Sequence, residues 1–495
     1  MNRIVTLGVV VSAACALALP ASAQDLRISN VTVVSPERMS PLPDVDVTIH
    51  DGRIVTIEKT LRAMRDIQTV DGKGLYLTPG LIDSHVHLSG IAGMDDAQEA
   101  KHPDIVKAMQ AQKPLSFLLY GFTTLIDLIS TPEEMARWKA QALVPDTYFC
   151  GGAPLMDGYP MYVIPKPERY AAAPYMLIEP GATPPAGIDP AQHTPAAVVA
   201  RMKKDGALCV KTFYEPGFGP VKNLPVPKLE TIRDLVTAAH ANGMPVLLHA
   251  NGIEGQTFGL AAGVDIMAHG IWNGTRNLPL SAQDAAIPKI LDQVVARGVG
   301  WQATIQVLYG ERDLFHPDYL SDPELARAVP ASLLAWYRTP EGQWFRDQLA
   351  AEVPKGNAPE ATQSVVDKLY ADPIGRVTHA AAYLAAHGGN LLFGTDTPSA
   401  PTYANPPGLN GWREIQNLAA AGVTPAQIFQ AATLANAKAL KLERDIGTVE
   451  IGKRANLLLL RADPTKTIEA YREIVKIILG GRALDPAALA ANRGR

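Results

Sequence analysis

Two histidines stand two residues apart in GLIDSHVHLSG, residues 80–90. Side chains alternate along a strand, so His85 and His87 share a face and both imidazoles can meet one cation. A lone HxH is weak evidence for a metal. Four more reactive groups close apolar runs elsewhere: Lys211 in CVKTF, His249 in VLLHA, His269 in IMAHG and Asp396 in LLFGTD. Imidazole nitrogen and carboxylate oxygen suit Zn²⁺ and similar transition metals. The plain alternative asks four histidines and an aspartate to cap apolar strands by coincidence. Lys211 is the odd member. An ammonium is repelled by cations, and burial lowers its pKa. A neutral amine reacts with CO2 to give an anionic carbamate whose two oxygens can bridge two metals. A lysine that snorkels or pairs with an acid is the competing reading.

The elements that must carry these groups recur as one unit. A helical stretch ends at a glycine and a short apolar strand follows. TIRDLVTAAHANG places Ile232, Leu235, Val236 and Ala239 at helical spacing, Gly243 stops the helix, and MPVLLHA reads as a buried strand. The same grammar gives ALCVKTF, VDIMAHG, VGWQATIQ, NLLFGTD and FTTLIDL. With YLTPGLIDSHVHL and DTYFCGG it makes eight strands between about residues 76 and 398. Eight βα units predict an α/β fold, a closed (β/α)8 TIM-like barrel, with reactive groups at the strand C-termini. A doubly wound sheet is the runner-up, but no glycine-rich phosphate turn follows an early strand. Thr131-Pro132 and Thr424-Pro425 read as helix starts.

The two ends read as short alternating β segments, residues 24–78 and 441–495, which pair into one small β-sandwich beside a barrel spanning 79–440. HDGR and VDGKG look like hairpin turns. Insertions at about 154–195 and 310–376 follow the third and seventh strands and are expected to overhang the active face as lids.

Residues 1–23 have Arg3, an apolar stretch to Leu19 and Ala21-Ser22-Ala23, the pattern of a secretory signal peptide cleaved after Ala23. A membrane anchor would need roughly 20 apolar residues, and lipidation at Cys15 is disfavoured by Ser12. A bacterial exported protein, resident in the periplasm, is the expected organisation. Beyond the leader only Cys150 and Cys209 remain, and two cysteines make no disulfide framework, so both are expected to be buried free thiols. A formal net charge of −4 and the lack of a basic run argue against nucleic acid. A small-molecule substrate, no membrane span after leader removal, and a homo-oligomer as an open option complete this reading.

The motifs TPGLIDSHVHLSG, GFTTLIDL, CVKTF, VLLHA, IMAHG, LLFGTDTP and the stretch from LAAAGVTPAQIFQ to ANLLLL resemble the amidohydrolase superfamily, in its prolidase-like, imidazolonepropionase-related branch. That resemblance implies a barrel with a β-sandwich from both chain ends. It implies two divalent metal ions, zinc foremost. His85, His87 and Asp396 would hold the more buried metal, and His249 and His269 the second. Lys211 would bridge them as a carboxylated lysine, with Asp396 as the catalytic proton carrier. It also implies hydrolysis of a C–N amide bond in a dipeptide or N-acyl amino acid, with lactone, ester or cyclic-amide hydrolysis as the alternative. A non-catalytic exported metal- or solute-binding protein is the reading from another class. Mononuclear deaminase-type sites usually keep a Glu three residues after the fifth-strand His, where this chain has Gly252. Asp127 is followed by Leu128-Ile129-Ser130 where the family often has paired glycines. Tyr214 is a candidate to meet substrate or to form the wall, and Asp127 to orient a ligand or cap its strand. Asp83 and the other seven histidines read as structural.

Overall fold

The computed structural model describes residues 25–59, 67–166, 168–217, 221–274, 280–353, 362–399 and 401–493. The expected leader, including Cys15, lies outside the described residues. Eight parallel strands follow one another in sequence order around a barrel: Leu81–Val86, Phe122–Asp127, Asp146–Ala153, Cys209–Phe213, Val246–His249, Ile266–Ala268, Gly300–Gln302 and Leu391–Leu392. The ring closes where the first strand meets the residues after the eighth. Ser84 N donates to Phe393 O (3.1 Å), Asp396 N to His85 O (2.7 Å) and His87 N to Thr397 O (2.8 Å). Asn436 Nδ2 spans the same seam, donating to Ile82 O and Phe393 O at 2.9 and 2.7 Å. The groups that anchor His85, His87 and Asp396 are therefore the groups that close the barrel.

One layer of the barrel interior is apolar. Ile82, Ile126, Cys150, Cys209, Leu247, Ile266 and Leu392 form one buried cluster, with one residue from each strand but the seventh. The seventh contributes Gly300, because a Cβ there would lie 2.5 Å from Leu392 Cδ1. Filling the barrel this way makes it a packed core rather than a pore.

Cys150 and Cys209 face each other in register on the third and fourth strands and form a disulfide. This corrects the expectation of two free thiols. They are far apart in sequence, separated by 59 residues, yet adjacent in the barrel.

The second sheet joins the chain ends. Tyr76–Pro79 lies between Leu26–Val33 on one side and Leu457–Leu460 on the other, and runs through Gly80 into the first barrel strand. HDGR does make a hairpin, between Leu42–His50 and Arg53–Glu58, with Asp51 and Gly52 both at positive φ as a two-residue turn requires. VDGKG does not. Gln68–Asp71 and Tyr76–Pro79 both pair in parallel with Leu26–Val33, so the chain jogs along one neighbour instead of reversing. Gly72 N donates to Ser29 O and Leu75 N to Gly72 O, which holds that jog.

The helix signals translate directly. Leu229–Ala241 buries Ile232, Leu235, Val236 and Ala239. Pro132–Lys139 and Pro425–Gln430 start with capping boxes on Thr131 and Thr424. No helix among the described residues is long and apolar enough to cross a membrane.

Candidate metal centre

At the first strand's end, His85 is fully buried and His87 is a quarter exposed. Asp396 follows the eighth strand in the left-handed region, φ 60°, a conformation that costs energy for a non-glycine residue and recurs at functional sites. Its Oδ1 stands 2.9 Å from His85 Nε2 and 2.9 Å from His87 Nε2. The ligating atoms of these three residues fall within 4.8 Å of one another.

Gln302, at the end of the seventh strand, decides what His85 offers. Its Nε2 donates to Ser84 O and Oγ, so its Oε1 is the atom facing His85 Nδ1 at 3.1 Å. An amide oxygen only accepts, so Nδ1 carries the proton. Burial, then the Lys211 charge, push the imidazole pKa down to about 3, so His85 is neutral. Its Nε2 lone pair therefore faces a carboxylate oxygen at 2.9 Å and makes no hydrogen bond. Two acceptors at that distance repel each other unless a cation lies between them.

The other side of the cluster is looser. His269 follows the sixth strand at φ 90°. Its ring lies 4.8 Å from that of His85 and 4.6 Å from that of His249, so four imidazoles make one continuous arc with His87. His269 Nδ1 meets Thr304 Oγ1 at 3.0 Å. Thr304 sits before a helix, Ile305–Arg312, whose first amides donate to the buried Glu414 carboxylate at 3.0 and 2.7 Å. His249 Nε2 lies 3.3 Å from Glu215 Oε2, and Glu215 Oε1 accepts from Gly217 N. Burial lowers the pKa of both His249 and His269, which leaves each imidazole neutral as metal binding demands. Lys211 is buried beside them. Its Nζ has no hydrogen-bond partner, and burial, opposed by Asp396, lowers its pKa to about 7.

The structure thus gathers His85, His87, Lys211, His249, His269 and Asp396 at one end of the barrel. The two weaker candidates fall elsewhere. Tyr214 packs its ring on Phe258 at 4.6 Å, in the helix layer, while Glu215 faces the histidines. Strand alternation sends Lys211, Phe213 and Glu215 to one side and Tyr214 to the other. Asp127 accepts from Leu88 N and Ile129 N and makes no hydrogen bond to an imidazole. Asp83 ties strands one and eight by accepting from His85 N and from Thr395 N and Oγ1. His193 bonds Met176 O, and His316 lies against Gln363.

Sequence reasoning missed several neighbours. Gln302 ends a barrel strand just as His249 does, so the strand-end rule had the signal for it. Glu215 is two residues beyond Phe213 on the Lys211 face, again within reach of period two. Tyr159 comes from the insertion after strand three, and its ring lies 4.7 Å from that of His249. Trp272 lies 4.8 Å from His269. Nothing in local sequence marks either aromatic.

A parallel eight-stranded barrel whose strand ends converge four imidazoles, a carboxylate and a buried lysine defines a metal-site barrel protein. The family model described as Amidohydrolase family matches residues 76–299 and 347–484, and the chain belongs to that family. It is 28% identical over 228 residues to an enamidase of Eubacterium barkeri, a stretch covering 44% of this chain and 48% of the enamidase. The match thus spans about half the length of that curated relative. Among solved structures it is similar to molinate hydrolase, with TM-score 0.65, 18% identity and coverage of 95% of this chain and 96% of that one. It is also similar to a Xaa-Pro dipeptidase with bound methionine, with TM-score 0.62, 18% identity and coverage of 93% and 100%.

Proposed function

We propose that this protein is a metal-dependent hydrolase that cleaves a C–N amide bond in a small molecule, a dipeptide or N-acyl amino acid first. The observation that carries the metal is the neutral His85 lone pair set 2.9 Å from the Asp396 carboxylate, an arrangement that a cation resolves. The donor set fits the group. His85, His87 and Asp396 would hold one divalent cation, His249 and His269 a second, and the Lys211 amine would join both once it has taken up CO2. Bound there, such cations, zinc foremost, polarise a carbonyl and lower the pKa of water to about 7.

The chain's own residues then do the rest. Asp396 Oδ1 is engaged with His85 and His87, while Oδ2 lies 4.0 Å from the nearest imidazole nitrogen of His269. Oδ2 is the atom free to take a proton from the attacking water and return it to the leaving nitrogen. Tyr159 and Trp272 cover the His249–His269 side and exclude bulk water. The enamidase and Xaa-Pro dipeptidase names among the relatives support an amide substrate. We also propose export to the periplasm, which the Cys150–Cys209 disulfide supports, since such bonds persist in oxidising compartments.

The test is metal analysis of the mature protein followed by a substrate panel. Two bound metals per chain and turnover of Xaa-Pro, Xaa-Arg or N-acyl amino acid substrates are expected, with Lys211→Ala retaining one metal. Turnover of lactones alone would replace the amide reading with the ester one. Metal uptake with no turnover of any amide or ester would leave a binding protein. Unchanged metal content and activity in Lys211→Ala would remove the bridging role.

A further inference from the structure

Three of the four imidazoles are oriented by a side chain on their second nitrogen: His85 by Gln302, His249 by Glu215 and His269 by Thr304. Among the described residues no such partner reaches His87, whose only side-chain hydrogen bond is to Asp396. Its backbone is held instead. Lys113, on the helix Pro103–Leu119, is 2% exposed and donates through Nζ to Leu88 O (2.7 Å) and Gly90 O (2.6 Å). Asp127 Oδ2 accepts from Leu88 N at 3.2 Å, and Glu99 Oε1 from Ile91 N at 2.8 Å. Three charged side chains from three different elements thus converge on the four residues that follow His87. None of the three forms an ion pair with another charged side chain among the described residues. Burying a lysine costs several kcal/mol unless its hydrogens are used, and here two of them fix the loop that aims His87.

We propose that Lys113 is a positioning residue for the metal centre, acting through the Leu88 and Gly90 carbonyls to orient His87 toward Asp396. The amide that Asp127 holds belongs to the peptide joining His87 to Leu88, and the carbonyl that Lys113 holds belongs to the next peptide. Together they fix the backbone on the C-terminal side of His87, the one imidazole of the four with partial exposure and, among the described residues, no side-chain partner on its second nitrogen. This rests on the reading that His87 binds a cation.

A cavity of about 360 Å³ is lined by Lys113, Asp127, Leu88, Ser130, Glu134 and Trp138 among others. It gives the test a handle. In the mature protein, Zn²⁺ affinity is measured by chelator competition for the parent, Lys113→Met and Lys113→Ala, each with and without propylammonium, which matches the side chain that Ala removes. Partners that orient a metal ligand are worth about 10- to 100-fold in affinity. Both variants should bind Zn²⁺ that much more weakly. Propylammonium should restore Lys113→Ala, and should fail with Lys113→Met, whose side chain fills the slot. Parent-like affinity in both variants overturns the proposal. So does propylammonium that raises the melting temperature of Lys113→Ala while its Zn²⁺ affinity stays flat, because that marks a loop staple only. If the alanine variant folds only with the amine, its affinity should still climb with amine concentration, and a flat titration counts against the role. A parent protein that takes up no Zn²⁺ fails the metal reading itself, which the parent arm reports separately.

Discussion

On one side of the cluster, His85, His87 and Asp396 crowd around a single carboxylate oxygen, 2.9 Å from each nitrogen. On the other, His249 and His269 stand ring to ring at 4.6 Å, and the nearby Lys211 amine is bonded to nothing. The first half is complete as folded because its donors lie on the two strands whose union closes the barrel. The second half draws on strands four, five and six, and its own carboxylate, Glu215, is taken up by His249 Nε2 and Gly217 N. A bridging anion there would have to come from Lys211, a lysine that must first change chemically. The contrast says that the halves should fail separately, and by different means.

Asp396 belongs to both, Oδ1 to the first half and Oδ2 to the second, so its loss has the largest expected effect. Asp396→Asn keeps the backbone bond to His85 O and hence the barrel seam. It removes the proton acceptor, and kcat for any amide substrate should fall about 10³-fold with an unchanged circular dichroism spectrum. Retained turnover would move the proton carrier elsewhere.

Lys211 tests the second half alone, and pH gives the sign. Its folded pKa is about 7 against an ordinary 10.5. Between those values the unfolded chain holds a proton that the folded chain does not, so this group makes stability rise with pH across that window and penalises folding below it. In metal-free protein with CO2 excluded, Lys211→Met should be more stable than the parent below pH 7, by up to about 5 kcal/mol. The gain should shrink toward pH 10.5. Urea midpoints across pH measure it, and a gain independent of pH would mean that Lys211 is not titrating in the core.

Beneath Lys211, the Cys150–Cys209 disulfide ties strands three and four, two residues before the lysine on its strand. Replacing both cysteines with alanine frees a 59-residue loop, a loss of about 2–4 kcal/mol. It should loosen the Lys211 strand while leaving the His85 half intact. Calorimetry reads the first expectation and residual binding of one metal the second.

That disulfide also marks where sequence reasoning stopped. Which residues end strands was legible, because apolar runs bounded by glycine reveal strands and period two reveals faces. His85, His87, Lys211, His249, His269 and Asp396 all came from that rule. Which strands are neighbours at a given height was not applied to the cysteines. Yet the third and fourth strands adjoin in any such barrel, and an expected exported chain favours the oxidised pair. Tyr159 and Lys113 were out of reach for another reason. One comes from an irregular insertion and the other from mid-helix, and only tertiary packing turns them toward the centre. VDGKG failed because turn chemistry is local, whereas the parallel jog is held by Ser29 on another strand.

The finest distinction between the halves lies in how each imidazole is supported. Gln302 offers His85 a neutral acceptor, whereas Glu215 offers His249 a carboxylate, held below its ordinary pKa by the histidine although burial opposes this. A carboxylate partner raises the basicity of a metal-binding imidazole more than an amide does. Glu215→Gln should therefore weaken the second metal about 10-fold and spare the first. Gln302→Glu should do the reverse at the first metal, strengthening it if the added charge is tolerated beside Ser84. Stepwise chelation resolves the two sites, because the looser half releases its metal first. If Glu215→Gln instead weakens both metals equally, the two halves share one support and the contrast between them dissolves.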